Sequence, residues 1–291
     1  MRHNQEVSDA RRHLMAVAFR MLGTVTEAED AVQEAYARWY RLEPGERAAI
    51  EVPAAWLTRV TSRVCLDMLG SARARRETYV GPWLPEPVPA SAFPVSAPAD
   101  PLDRVTLDET VSSALLVVLE SMTPAERVVF VLHDVFAVPF AEIAETVSRS
   151  PAACRQLAGS ARKRARETAG RFVTPGEHVR VVRAFGVAAR SGDLAALIRT
   201  LDPGVVLRSD GGGNARAALN PVYGADRVAR FFAGVLARRP ELRLEDHPTS
   251  DGPGLAMRED GQVVGMATFE VAGGITAVRL MLNPRKLTLW N

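Results

Sequence analysis

TPAERVVFVLHDVFAVPFAEIAETVSRSPAACRQLAGSARKRARE, residues 123–167, reads as three pieces of helix separated by short breaks. Thr123 stands as a cap, Pro124 in the first turn and Glu126 at the third position, which together make a capping box. The segment PFAEIAETV predicts a short helix, SRS a tight turn, and PAACRQLAGSARKRARE a longer final helix. Short helix, three-residue turn and long basic helix is the arithmetic of a helix-turn-helix. In the last helix, Cys154, Leu157, Ala158, Ala161 and Ala165 fall at i, i+3, i+4, i+7 and i+11, a narrow apolar stripe that packs on a core. Arg155, Arg162, Lys163 and Arg166 fall on the other side. A helix of this build fits the major groove, where arginine pairs bidentately with guanine and lysine neutralises phosphate. A solvated basic face is the plainer reading of this segment taken alone.

The charge distribution agrees with a polyanionic partner. The chain of 291 residues has a net charge of only +2, so its overall balance says little. From Arg149 to Arg171, however, seven basic residues stand against one acid, Glu167. The length suggests about two domains, and the 47% apolar content is ordinary for a globular protein. Cys65 and Cys154 sit inside apolar helical patterns, which predicts buried thiols in a reducing compartment. The scattered histidines and two cysteines lack zinc-ligand spacing, so no metal and no cofactor is expected. MRHNQEVSDA lacks an apolar signal core, and no run of about 18 apolar residues occurs. The expected location is cytoplasmic, with no membrane partner.

Upstream, residues 8–76 read as helices. DARRHLMAVAFRMLG ends at Gly23, TEAEDAVQEAYARWYRL starts with Thr26 as its cap, EPGER is a loop, and VPAAWLTRVTSRVCLDMLGSARARRE is a long helix with Pro53 in its first turn. Trp56 of that helix suits either the core or a nucleic-acid contact. LDETVSSALLVVLESM is a further helix after the linker.

The connector at 78–104 is unusual. Its first half, YVGPWLPEP (residues 79–87), holds three prolines, a tyrosine and a tryptophan. An ordinary tether is built from Gly, Ser and charged residues. Proline lowers the freedom lost on docking, and Trp83 and Leu84 are costly to leave in water. The stretch reads as a linker meant to be held. Its second half, ASAFPVSAPADP, is Pro/Ala/Ser-rich and reads as flexible. From Pro175 the pattern becomes two helices broken near Gly192, a short strand into the glycine cluster Asp210–Gly213, a helix capped near Asp226, and four strand-like segments. Two of these turn as a hairpin near Asp260-Gly261. Helices followed by antiparallel strands predict an α+β domain.

Taken together, these segments resemble a known family. TEAEDAVQEAYARWYR is similar to the core-polymerase-binding helix of region two of bacterial sigma factors. PAAWLTRVTSRVCLDMLGSARARR resembles the promoter-melting, minus-ten-reading helix after it. Residues 122–165 resemble region four, the minus-35 reader. No region three intervenes, as in extracytoplasmic-function (group IV) sigma factors. YVGPWLPEP, DGGG and NPRKL (Asn283–Leu287) resemble the subgroup carrying a fused C-terminal SnoaL-like domain. The resemblance implies two all-α sigma domains (1–77 and 105–171) and a cone-shaped α+β SnoaL-like domain (175–291). It implies RNA polymerase core enzyme and promoter DNA as partners, with regulation in cis by the third domain.

Carried over residue by residue, the resemblance places Asp30, Gln33 and Glu34 against the polymerase clamp. It places Arg59, Arg63 and Asp67 near the minus-ten strand, with the loop at Pro44–Arg47 as a second candidate for a flipped base. Arg155, Gln156, Arg162 and Lys163 take the minus-35 positions. Met68 and Gly70 stand where relatives tend to be basic, and Ser160 where arginine is usual. The linker residues Tyr79, Pro82, Trp83 and Leu84 are expected to meet Asp210, Gly211, Gly212, Gly213, Asn283, Pro284, Lys286 and Leu287. SnoaL-like domains also include isomerases and cyclases with an Asp or His base, for which Asp210, Asp226 and His247 are the available groups. Asp226 reads most simply as a helix cap, and His247 as a loop residue before a proline. The expectation is a non-enzymatic grip on the linker. A sensing pocket for an unidentified small ligand stands as an alternative, as does a DNA-binding regulator fused to a small-molecule-binding or isomerase/cyclase-like enzyme domain. Region two discriminates, because a plain repressor has no use for a polymerase-clamp helix.

Overall fold

The computed structural model describes residues 2–77, 79–92, 113–168 and 173–291. The second half of the linker from Phe93 onward, and Arg171, lie outside the described residues. Contacts divide the chain into two compact units: Met1–Glu77 with Leu115–Thr168 in one, and Thr78–Ala92 with Ala169–Asn291 in the other.

The first unit is helical. Its first half holds α1 (Arg2–Leu22), α2 (Val25–Arg41), α3 (Pro44–Ala48) and α4 (Pro53–Glu77). Helix α1 starts ahead of the expected Asp9. It stops at Gly23, whose φ of 81° is left-handed, where glycine carries no Cβ penalty. Helix α2 is capped by Thr24 rather than Thr26, its hydroxyl accepting from the Glu27 N–H at 3.4 Å. Val25 is buried, and the helix starts two residues earlier than expected. The expected loop EPGER is the short helix α3, started by Pro44 and a capping box between Glu43 and Glu46. Leu14, Phe19, Val32, Trp39, Leu57 and Leu69 are buried in this half. Trp56 packs edge-on against Trp39 at 5.3 Å, which favours its core role.

The second half of this unit holds α5 (Ser113–Glu120), α6 (Pro124–Phe130), α7 (Phe140–Val147) and α8 (Pro151–Thr168). The Thr123/Glu126 capping box forms as read. Helix α6 runs into a wider π turn at Val131–Val135. Ser148, at φ 54°, closes α7 and begins the tight turn into α8. Cys154, Ala158 and Ala161 of the predicted stripe are fully buried. Burial raises both thiols, Cys65 and Cys154, above their ordinary pKa.

The second unit is α+β. Helix α9 (Pro175–Ser191) is capped by Thr174 and ends on left-handed Gly192; α10 (Leu194–Thr200) is capped by Asp193. Strand β1 (Leu201–Asp210) leads through the glycine cluster to β2 (Val222–Tyr223) and α11 (Ala225–Arg238). Strands β3 (Arg243–Thr249), β4 (Gly252–Glu259), β5 (Gln262–Val271) and β6 (Ile275–Met281) follow. The six strands run in the order β2-β1-β6-β5-β4-β3, with β1 and β6 parallel and the remaining pairs antiparallel. The β4–β5 hairpin turns at Asp260 and Gly261, both at positive φ (48° and 79°), as a two-residue turn of the primed type requires. Two side-chain assignments differ from expectation. Helix α11 is capped by Gly224, and Asp226 lies in its first turn, bonded to Arg230 at 2.8 Å. His247 lies within β3 opposite Gly254, not in a loop.

Both faces of this sheet are covered. Leu255, Met257, Ala267, Phe269, Val278 and Leu280 point one way, into a core with Phe185 of α9 and Phe232 of α11. The alternate residues Ala256, Met266 and Met281 point the other way and pack around Leu84 of the linker and Leu287.

Candidate DNA-reading faces and the linker clamp

On α8, the exposed residues Ala152, Arg155, Gln156, Gly159, Ser160 and Lys163 fall at i, i+3, i+4, i+7, i+8 and i+11, one continuous face backed by the buried stripe. Arg162 leaves this set. Its Nε donates to Asp134 at 2.6 Å, and Nη2 stands 3.2 Å from Nδ1 of His133, whose ring stacks on Phe140. The π turn presents His133 and Asp134 together, so Arg162 ties α8 to the core of its own half.

On α4, Arg59, Arg63 and Asp67 recur every four residues and are exposed at one face. The structure gives the two arginines partners that the sequence did not announce. Arg59 pairs with Glu145 of α7. Arg63 Nη1 donates to the Thr146 carbonyl at 2.9 Å and to the Ser148 hydroxyl at 2.6 Å. On α2, Asp30 and Gln33 are exposed. Glu34 is bonded to Arg38 at 2.8 Å, which holds its carboxyl below the usual carboxylate range, with Arg41 adding to the effect.

In the second unit the linker lies in a polar clamp built around Asp210, which is fully buried at the end of β1. Its Oδ1 accepts from the Tyr79 hydroxyl at 2.6 Å and the Gly212 N–H at 3.0 Å. Its Oδ2 accepts from the Leu84 N–H at 3.0 Å and Lys286 Nζ at 2.8 Å. Lys286 also donates to the Leu84 carbonyl at 2.6 Å and sits 4.1 Å from the ring centre of Trp83. Asn283 donates to the Tyr79 hydroxyl at 2.9 Å and accepts from the Arg285 N–H, starting the tight turn Pro284–Lys286. Burial, then the bond to Asp210, raises the Tyr79 phenol above its ordinary pKa. A buried carboxylate offsets its desolvation cost only when it is paired and hydrogen-bonded, here by four donors.

The glycines let the chain come close. A Cβ on Gly212, at φ 58°, would sit 2.3 Å from Nδ2 of Asn283. Gly211 is buried against the Ala215 carbonyl, and Gly213 faces the Val80 side chain. Pro82 and Trp83 are half-buried, whereas Leu84, Pro85 and Pro87 are buried. The deep apolar anchor is therefore Leu84, at 2% exposure, and not Trp83. Farther along, Ser250 N–H donates to the Val88 carbonyl and Ala90 N–H to the Pro248 carbonyl, so the linker pairs with the exposed edge of β3. Trp290 Nε1 donates to the Pro87 carbonyl at 2.8 Å. The sequence reading missed Trp290 and the β3 edge; a tryptophan next to the NPRKL segment was their one local signal.

The three groups weighed as catalytic bases do not meet. Asp210 is enclosed by the linker, Asp226 is exposed in its pair with Arg230, and His247 stands on β3 against the edge of Trp290. Among the described residues, no group of three or more His, Cys, Asp or Glu is placed to hold a metal.

Two helical DNA-reading halves and an α+β domain that embraces their connector define a transcription-initiation subunit with a built-in accessory domain. The Sigma-70 region 2 model matches residues 7–75, and the Sigma-70 region 4 model residues 112–164. The ECF RNA polymerase sigma factor SigJ of Mycobacterium tuberculosis H37Rv is 46% identical over 237 residues, covering 80% of this chain and 73% of that protein. A probable ECF RNA polymerase sigma factor, SigI, of the same species is 38% identical, covering 95% and 92%. The crystal structure of M. tuberculosis SigJ superposes with a TM-score of 0.73 at 38% identity, over 98% of both chains. The chain belongs to the extracytoplasmic-function RNA polymerase sigma factors.

Proposed function

We propose that this sigma factor directs RNA polymerase core enzyme to promoters through three faces, and that its SnoaL-like domain fixes the first half of the linker between regions two and four. Asp30, Gln33 and Glu34 of α2 dock on the polymerase. Arg59, Arg63 and Asp67 of α4 serve the minus-ten strand. Arg155, Gln156 and Lys163 of α8 serve the minus-35 element, with Arg162 bracing the helix. The observation that carries the regulatory reading is the four-bonded Asp210 carboxylate, two of whose donors come from the linker.

The SnoaL-like domain works here as a grip and not as a catalyst, because the groups available for catalysis are dispersed or enclosed by the linker. The void beside Leu84, Pro85 and Met266 is about 10 Å³, room for a single water, so a small ligand on that face has to displace the linker. Promoter reading places the protein in the cytoplasm; among the described residues no helix is long and apolar enough to cross a membrane.

Run-off transcription with core enzyme tests the reading, on promoters whose minus-ten to minus-35 spacing is varied one base pair at a time. The wild-type protein should prefer a narrow range of spacings. Asp210→Asn and Leu84→Ala should broaden or shift that preference, while charge reversal at Asp30 should abolish transcription at every spacing. An unchanged spacing profile in both clamp variants removes the linker role; transcription that survives the Asp30 variant moves the polymerase face elsewhere.

A further inference from the structure

We propose that the helical unit of this chain latches shut with its own minus-ten arginines, using α7 and the helix-turn-helix turn as a stand-in for promoter phosphate; this rests on Arg59 and Arg63 being DNA contacts. The two side chains recur at i and i+4 on α4 and meet acceptors in the same order on region four. Arg59 meets the Glu145 carboxylate, and Arg63 meets the Thr146 carbonyl and the Ser148 hydroxyl. An anionic oxygen followed by two neutral oxygens presents to the guanidinium groups much what a sugar-phosphate backbone presents. DNA and α7 therefore compete for the same cations. While the arginines are engaged, the turn that enters α8 is held against region two.

The latch is built to be released. Arg59 and Glu145 are about half exposed, at 47% and 63%, and exposed ion pairs of this kind are weak and screened by salt. Beneath them the same interface buries cations poorly. Arg127 of α6 pairs with Glu120 at 2.7 Å and reaches across to the Met21 carbonyl at 3.0 Å, while its Nε has no acceptor among the described residues. Arg20 of α1 lies under the Phe136 ring, with Nε and Nη2 likewise without an acceptor. Burial lowers both guanidinium pKa values to about 10. A guanidinium buried with unmade bonds opposes closure and is relieved by water on opening. The unmade bonds make the contact between the two halves of this compact unit reversible.

The experiment uses the full chain with a donor–acceptor dye pair at Glu51→Cys and Ala141→Cys, both exposed; the native thiols are buried. It also uses a fluorescent single-stranded oligonucleotide carrying the minus-ten element. Glu145→Gln with Ser148→Ala should lengthen the dye separation and raise oligonucleotide affinity about two- to fivefold, the scale of an exposed ion pair. Arg59→Glu should open the unit and lose oligonucleotide binding. Adding Glu145→Arg to Arg59→Glu should close the unit again without restoring binding. If the Glu145/Ser148 variant changes neither distance nor affinity, the latch is overturned. If it opens the unit but Arg59→Glu binds the oligonucleotide normally, the arginines are not DNA contacts, and the competition is overturned together with that part of the functional reading.

Discussion

Lys286 and Asp210 form a buried ion pair 2.8 Å apart, and the lysine's second bond goes to the Leu84 carbonyl of the linker. Lys286→Met should leave Asp210 buried with a charge and one partner fewer. Loss of one member of a buried pair costs about 3–5 kcal/mol. Urea unfolding of the full chain should show that loss in the transition of the C-terminal unit. Limited proteolysis should cut at 79–92 sooner than in the wild type. A midpoint unchanged within error would mean that the pair is dispensable.

Tyr79 gives the clamp a pH limit. Its phenol is raised above the ordinary value of 10.0, first by burial and then by the bond to Asp210. Because the docked state holds the proton more tightly than the free linker, docking is at full strength below pH 10. It weakens as pH rises from there toward the docked-state pKa. Burial also raises Tyr36, so tyrosinate absorbance should lose one of its late-titrating phenols in Tyr79→Phe, and proteolysis of the linker should accelerate above pH 10.

Two neighbouring glycines should respond differently to alanine. Gly212→Ala places a Cβ 2.3 Å from Asn283 at φ 58°, whereas Gly213→Ala, at φ 74°, meets only the Val80 side chain at 3.5 Å. Left-handed backbone costs an alanine about 1–2 kcal/mol at either site. Gly212→Ala also pushes Asn283 off the Tyr79 hydroxyl. Thermal unfolding should therefore rank Gly212→Ala well below Gly213→Ala, and equal melting points would count against a tight approach there.

On α8 the substitutions should separate by role. Arg155→Ala should lower discrimination between intact and mutated minus-35 elements by about 1–3 kcal/mol. Lys163→Ala should weaken binding evenly across sequences and reduce the salt slope by about 1. Arg162→Ala, which breaks the 2.6 Å bond to Asp134, should instead destabilise region four. Competition binding at several salt concentrations, with unfolding of each variant, checks all three.

Much of the architecture was legible locally. The Thr123/Glu126 capping box, the Asp260-Gly261 hairpin and the Cys154/Ala158/Ala161 stripe express backbone and burial preferences spanning a few residues, so the sequence alone determined them. The stiffness of YVGPWLPEP correctly marked a held segment. The run VVGMATFEV also carried a signal: with little polar alternation from Val263 to Phe269, it belongs to a strand covered on both faces, although the covering piece could not be named. Tertiary structure alone decided the rest. Asp210 and Lys286 are 76 residues apart, and Arg59 and Glu145 are 86 apart. A charged side chain has no periodicity that announces its partner at such distances. Trp83 read as the anchor, a place that Leu84 takes, and Asp210 was expected beside the linker but not as a buried carboxylate paired with Lys286. In each case burial and hydrogen bonding chose among side chains that local spacing leaves equivalent.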